Sequence, residues 1–354
     1  MRKLLGSPRR GSAPRRAVTA RAAGLALAAT ALAAAMGVAA AAPPQGAPTT
    51  PTKPTTQTTQ TTPTTPTMQT TQTKPTTPTT PTTPTTLKIG VTLHPYYSWT
   101  RNIVGNLPGF EVRPILPGDV DAGDYQPRPE DIRKLADLDA LVVNGIGHDD
   151  FIFPMLKASG NRKVVIIRPN DVTPQIRSVH GSAVNSHTFI SFTNAVQQTY
   201  AIEKALAALR PAAAAALEAN AEDYARRLRL IKARAAAVLA DAKITRVVTV
   251  HDGYGYLLQE FGLEVAGVVQ PAHGLTPSAA ELRDMVKLLR REKIRVVFSE
   301  ESFPQPLLAV LRNEGGARVY IISHIASGAY TADKFEKEMQ RNVDTMIQAL
   351  VKDA

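Results

Sequence analysis

Seven histidines and no cysteine occur in this 354-residue chain, so any metal or proton chemistry falls to imidazoles and carboxylates. Four histidines stand just past short apolar runs: His94 after "KIGVT", His148 after "ALVVNG", His251 after "RVVTV" and His324 after "RVYII". In an open parallel sheet the carboxyl ends of the strands face the crevice where ligands bind. Four imidazoles at such stations point to one cluster, suited to holding a metal or moving protons. His187 lies in a different setting, "NSHTFISFTNA", and His180 and His273 fall in loop-like sequence.

Other chemistries lack their parts. The chain has no phosphate-binding glycine loop, no G-x-S-x-G elbow and no H-E-x-x-H helix, and Gly145-Ile146-Gly147 lacks the third glycine of a dinucleotide fingerprint. Glu300 and Glu301 are adjacent carboxylates on an extended run, so their side chains point apart and suit a supporting role better than an acid/base pair.

The elements that must carry the histidines are legible as alternating textures. "LKIGVT", "FEVRPIL", "ALVVNG" and "KVVII" read as buried strands, and residues 129–138 read as a helix opened by Pro129, Glu130 and Asp131. A second set follows: "TRVVTV", "LEVAGVV", "IRVVF" and "ARVYII", with helices near 277–292, 304–314 and 331–353, the first capped by Ser278 and Glu281. Strands alternating with helices predict an α/β fold with parallel sheets, in two similar lobes, 87–210 and 242–354. Between them, 211–241 has no internal Pro or Gly after Pro211. Its apolar stripe of Leu217, Ala221, Tyr224, Leu228, Ile231, Ala235 and Val238 predicts one long helix bracing the lobes.

Ahead of this lie two segments of other composition. Residues 1–42 carry arginines, then a run of small apolar residues ending in alanines, the order of a secretory signal peptide. Residues 43–86 are almost entirely Pro, Thr and Gln and predict a disordered, extended tether. The formal net charge is +11, but nine of the 41 basic residues and none of the 30 acidic ones fall in 1–86. The globular part is nearly neutral, which removes the case for a nucleic-acid partner. An exported chain without a cysteine to lipidate predicts an unlipidated periplasmic protein.

With the elements placed, residues 87–354 resemble the zinc and manganese solute receptors of ABC transporters, the cluster A-I metal receptors. "DYQPRPEDIRKLADLDALVVNG" is similar to the family's Y-E-P-x-x-x-D with its following helix and strand, and "NSHTFISFTNA" to N-P-H-x-W-x-x-P-x-N-A. "HDGYGYLLQEFGLEVAGV" resembles H-D-A-F-x-Y followed by Gly-Leu, and "RNVDTMIQAL" resembles the last helix. The resemblance implies a non-enzymatic, monomeric periplasmic receptor that holds its metal in a cleft between the lobes and delivers it to an inner-membrane ABC permease.

It also implies that His187 and His251 are the second and third metal ligands. The family's first ligand, the His of D-P-H-x-Y, is replaced by Gly123, and its fourth, an Asp, by Ser323. His324 is the group beside the fourth position. His148, Asp124 and His94 are those able to replace the first, with His148 preferred because a neutral imidazole suits zinc. A set of His148, His187, His251 and His324 favours Zn²⁺ over Mn²⁺, with Glu300, Asp149 and Asp252 as acids to orient the imidazoles. No His-rich metal-collecting loop is present. The alternatives are a receptor of the same fold with another ligand (Mn²⁺, a metal chelate or a host surface) and a His-zinc hydrolase.

Overall fold

A computed structural model describes residues 85–354 apart from residues 180, 182, 271 and 273. The segment read as a signal peptide, all but the end of the expected tether, and His180 and His273 therefore lie outside the described residues.

All eight expected strands form. The first sheet contains β1 (Leu87–Val91), β2 (Phe110–Pro114), β3 (Ala140–Val142) and β4 (Val165–Ile167), the second β5 (Arg246–Thr249), β6 (Glu264–Val268), β7 (Val296–Ser299) and β8 (Arg318–Ile321). Their orders are β2-β1-β3-β4 and β6-β5-β7-β8, with every pair parallel. The two sheets thus share one topology, and each opens its strand ends toward the same cleft.

The helices that connect and cover them are α1 (His94–Val104), α2 (Pro129–Arg133), α3 (Ile152–Ser159), α4 (Phe192–Leu209), α5 (Ala214–Leu239), α6 (Gly255–Gln259), α7 (Ala279–Arg291), α8 (Gln305–Asn313) and α9 (Lys334–Ile347). Ser278 and Glu281 form the expected capping box on α7. Expectation and structure differ in three places. Helix α2 is half the predicted length, because the amides of Leu135 and Ala136 bond three residues back to Ile132 and Arg133 and tighten the chain into turns. The last helix begins at Lys334 and passes into a π-helical turn, Gln348–Lys352.

The third difference is in the brace. After a 3-10 turn at Pro211–Ala213, α5 runs 26 residues, about 39 Å at 1.5 Å per residue. Its buried stripe includes Leu217, Ala221, Tyr224, Leu228 and Ala235 as expected, but ends on Leu239, 4% exposed, while Val238 is 40% exposed. Four residues beyond Ala235 stays nearer the same helical face than three does at 3.6 per turn. One continuous apolar core runs from the first sheet through α4, α5 and α9 to the second sheet, and a smaller core lies under α7 and α8. The brace is thus part of the core it spans, and each fully buried Leu, Val, Ile or Phe in it contributes about 1.5–3 kcal/mol.

Candidate metal centre

Sequence and fold bring three of the expected histidines together. His251 is the last extended residue after β5, held by the Val250 amide bonding to the Phe298 carbonyl, before a 3-10 turn at Asp252–Tyr254. His324 follows β8, whose neighbour Ile322 bonds to the Ser299 carbonyl. His187 comes from the loop ahead of α4, where Ser191 caps the helix. The three rings offer one ligand atom each, all within 4.8 Å of one another, and the residues are only 6%, 2% and 7% exposed for His187, His251 and His324.

The tautomers suit a metal. His187 Nδ1 donates to Asn185 Oδ1 at 2.9 Å and His251 Nδ1 to Gln270 Oε1 at 3.1 Å. His324 Nδ1 lies 3.1 Å from Asp121 Oδ2. On His187 and His251 the amide oxygen acceptor fixes the proton on Nδ1 and leaves the Nε2 lone pair for a ligand. Nε2 of His187 and Nε2 of His251 already stand 3.0 Å apart. Two nitrogens on a tetrahedral zinc, each at 2.0–2.1 Å, would stand about 3.3 Å apart, so the pair needs only slight widening to admit the ion.

Gly253 makes this approach possible. A Cβ there would fall 2.6 Å from His251 Cδ2 and 3.2 Å from His187 Cδ2, closer than atoms pack. Asn185 serves twice, since its Nδ2 also donates to the Asp252 carbonyl at 2.7 Å while Tyr256 Oη donates to the Asn185 carbonyl at 2.8 Å. These bonds stitch the His187 loop of the first lobe to the His251 turn of the second.

The remaining sequence candidates are placed differently. His148 is buried beside the trio, its ring edge-on to His187 at 4.9 Å and to His324 at 6.1 Å between centroids, with Nε2 3.5 Å from Asp121 Oδ1. His94 is outside the group: its Nε2 bonds to the Gly328 carbonyl at 2.9 Å and its ring stacks on Tyr330 at 3.9 Å. Burial holds its pKa below the ordinary imidazole value. Asp124 ends the 3-10 turn Ala122–Asp124, and its side chain lies outside the described groups.

The orienting acids also differ from expectation. Asp149 accepts from Thr92 Oγ1 at 2.5 Å and from the amides of Asn144 and Gly145 at 2.7 and 2.8 Å, so it fixes the turn before His148 rather than an imidazole. Asp252 accepts from the Ser178 hydroxyl and the Val179 amide and holds the neighbouring loop. Glu300 is 3.9 Å from His324 Nδ1, beyond hydrogen-bond reach. The acceptors that orient His187 and His251, Asn185 and Gln270, and the carboxylate beside His324, Asp121, were not singled out from sequence; the usable signals were Asn185 two residues before His187 and Asp121 within the run that lost its histidine. A cleft of about 1030 Å³ lined by Asp121, His251, Gln270, Glu300, Glu338 and His324 adjoins the trio.

Comparison with known proteins identifies the family. A family model for the periplasmic component A of the zinc-uptake complex, ZnuA, matches residues 89–349. Solved structures of the solute-binding protein FpvC from Pseudomonas aeruginosa, one in complex with Ni²⁺ and one with Mn²⁺, are 42% identical at a TM-score of 0.71; they cover 76% of this chain, which covers 98% and 100% of theirs. The zinc-binding protein AdcA of Streptococcus pyogenes is 24% identical over 283 residues, 73% of this chain. The chain spans about half the length of that relative, 53%. A crystal structure of ZnuA, 22% identical with a TM-score of 0.66 over 75% of this chain and 99% of its own, shares the fold. With its two parallel-sheet lobes and its buried histidines, the chain belongs to the periplasmic zinc-uptake component A family of metal-binding solute receptors.

Proposed function

We propose that this protein is the periplasmic receptor of a metal-uptake ABC transporter: it captures Zn²⁺ between its lobes with His187, His251 and His324, takes His148 as fourth ligand, and hands the ion to an inner-membrane permease. The observation that carries this is the trio of buried imidazoles whose ligand atoms lie within 4.8 Å of one another, with His187 and His251 held by an amide oxygen on Nδ1 so that their Nε2 atoms face each other. A nitrogen set suits zinc and nickel far better than manganese, and a fourth ligand from His148 would complete the tetrahedral arrangement that zinc prefers. Among the described residues no helix is long and apolar enough to cross a membrane, which fits a receptor reached by its permease from outside the bilayer.

Calorimetric titration of the full chain tests the proposal. Zn²⁺ should bind tightly at one site, Mn²⁺ far more weakly, and a His187→Ala, His251→Ala double variant should lose the zinc site. Binding unchanged in the double variant would overturn it. The adjoining 1030 Å³ cleft, far larger than a bare ion needs, supports a second reading in which the cargo arrives bound to a small chelator. Tight binding of a zinc chelate with negligible binding of Zn²⁺ alone would replace the first reading with this one.

A further inference from the structure

Resting on that metal-receptor reading, we infer that Glu338 and Asn342 are positioning residues that set which of two neighbouring side chains, Ser323 or His324, enters the metal site. The two stand four residues apart on α9 and so share one of its faces. Asn342, 1% exposed, grips the main chain of Ser323 twice: its Oδ1 accepts from the Ser323 amide at 2.6 Å and its Nδ2 donates to the Ser323 carbonyl at 2.9 Å. Glu338 takes the side chain, with Oε2 accepting from the Ser323 hydroxyl. That carboxylate is itself held, since Oε1 lies 3.0 Å from Lys334 Nζ and 3.2 Å from Arg341 Nη2.

The Ser323 hydroxyl passes this hold to the far side of His324. With its one proton given to Glu338, its lone pairs are left to accept, and they take the Ile325 amide at 3.0 Å. Ile325 is a β-branched residue at φ 60° and 1% exposed, a costly conformation that persists only where its surroundings impose it. The residues before and after His324 are thus both tied to α9, one directly and one through the hydroxyl.

These contacts place the two neighbouring side chains on different sides of the chain. Ser323 faces α9, and His324 brings a ligand atom within 4.8 Å of those of His187 and His251. Successive side chains on an extended segment alternate, so a slip of one residue past β8 would turn Ser323 toward the trio and His324 away from it. The station would then offer a neutral hydroxyl, which is not among the thiolate, imidazole and carboxylate donors that bind zinc well. By holding Ser323 against the helix, Glu338 and Asn342 keep a nitrogen at this station, the donor that favours zinc and nickel over manganese.

Zn²⁺ and Co²⁺ titrations of the full chain test this, in the wild type and in a His324→Ala background, with Co²⁺ reporting the ligand field. Glu338→Ala removes the acceptor of the Ser323 hydroxyl, and Asn342→Leu removes the grip on its main chain at similar volume. Each should weaken zinc about tenfold or more and alter the Co²⁺ visible spectrum. Glu338→Gln, which keeps an oxygen for the hydroxyl, should recover most of the first loss. Ser323→Ala, which leaves Glu338 its pairs with Lys334 and Arg341, should weaken zinc as Glu338→Ala does. In the His324→Ala background none of these changes should weaken zinc further, because their effect passes through His324. Unchanged zinc affinity in Glu338→Ala or in Asn342→Leu would overturn the inference. Equal fold-losses in the two backgrounds would overturn it too, since the effect would then bypass His324. A failure of the wild-type chain to bind zinc would overturn the receptor proposal instead. Thermal unfolding of the metal-free variants confirms that each is folded.

Discussion

The two lobes present equivalent strand ends to the cleft, and one residue of register separates a proposed ligand from a latch. Val91 of β1 pairs with Val142 of β3 as Thr249 of β5 pairs with Phe298 of β7. The next amides match too, Thr92 bonding to Val142 and Val250 to Phe298. Counting on from there, the position of His251 corresponds to Leu93, and His94 comes one residue later. Successive side chains on an extended segment point to opposite sides, so His251 turns into the cleft while His94 opens α1 and packs against Gly328 and Tyr330. A histidine just past a strand end is thus a candidate for the site, and its register decides whether it enters.

The comparison breaks most visibly at the histidines themselves. His251→Ala should lower zinc affinity by more than the roughly 10–100-fold that outer partners are worth, whereas His94→Ala should leave it within about threefold; calorimetry of the two variants checks both. Equal losses would mean that the lobes contribute alike.

Next in size is Gly253→Ala, which keeps every imidazole but sets a methyl 2.6 Å from His251 Cδ2. Overpacking of this kind costs about 1–3 kcal/mol of folding stability, so the metal-free melting temperature should fall by roughly 2–4 °C per kcal/mol, and zinc affinity should fall as well because the displaced His251 ring loses its place beside His187. A smaller effect, on stability alone, is expected for His94→Ala. It removes one hydrogen bond and one ring stack, about 1–2 kcal/mol together, and should lower the melting temperature by roughly 2–4 °C per kcal/mol.

The smallest is the pH dependence of that latch. Burial lowers the His94 pKa in the folded chain, so the unfolded chain takes up the proton first. Its contribution is fully present above the unfolded value near 6.5 and is lost as pH falls from there toward the depressed folded value. The melting temperature of His94→Ala should therefore decline less than that of the wild type between about pH 7 and 5; identical slopes would remove His94 from the account.

Much of this was legible from sequence because it is local. Runs such as "RVVTV" and "IRVVF" state their strand character residue by residue, and the histidines past them fall at ligand-binding stations. His187 follows no strand and was reachable only through its resemblance to a family motif. What stayed hidden depends on contacts between distant segments. Asp121 meets His324 across 203 positions, a pairing that exists only after both loops have packed. Asn185 and Gln270 are amides without periodic pattern, and the acids that sequence proposed, Asp149 and Asp252, are taken by nearer amides and hydroxyls. The length of α2 was misjudged because the i−3 bonds of Leu135 and Ala136 are a tertiary outcome.

The central claim is that three imidazoles from both lobes close on one ion, and zinc-edge anomalous diffraction from crystals of the zinc-loaded protein tests it most directly. The account predicts a single zinc peak with one ring nitrogen each of His187, His251 and His324 at about 2.0–2.1 Å. A zinc peak away from these three rings, or bonded to only one of them, would contradict it.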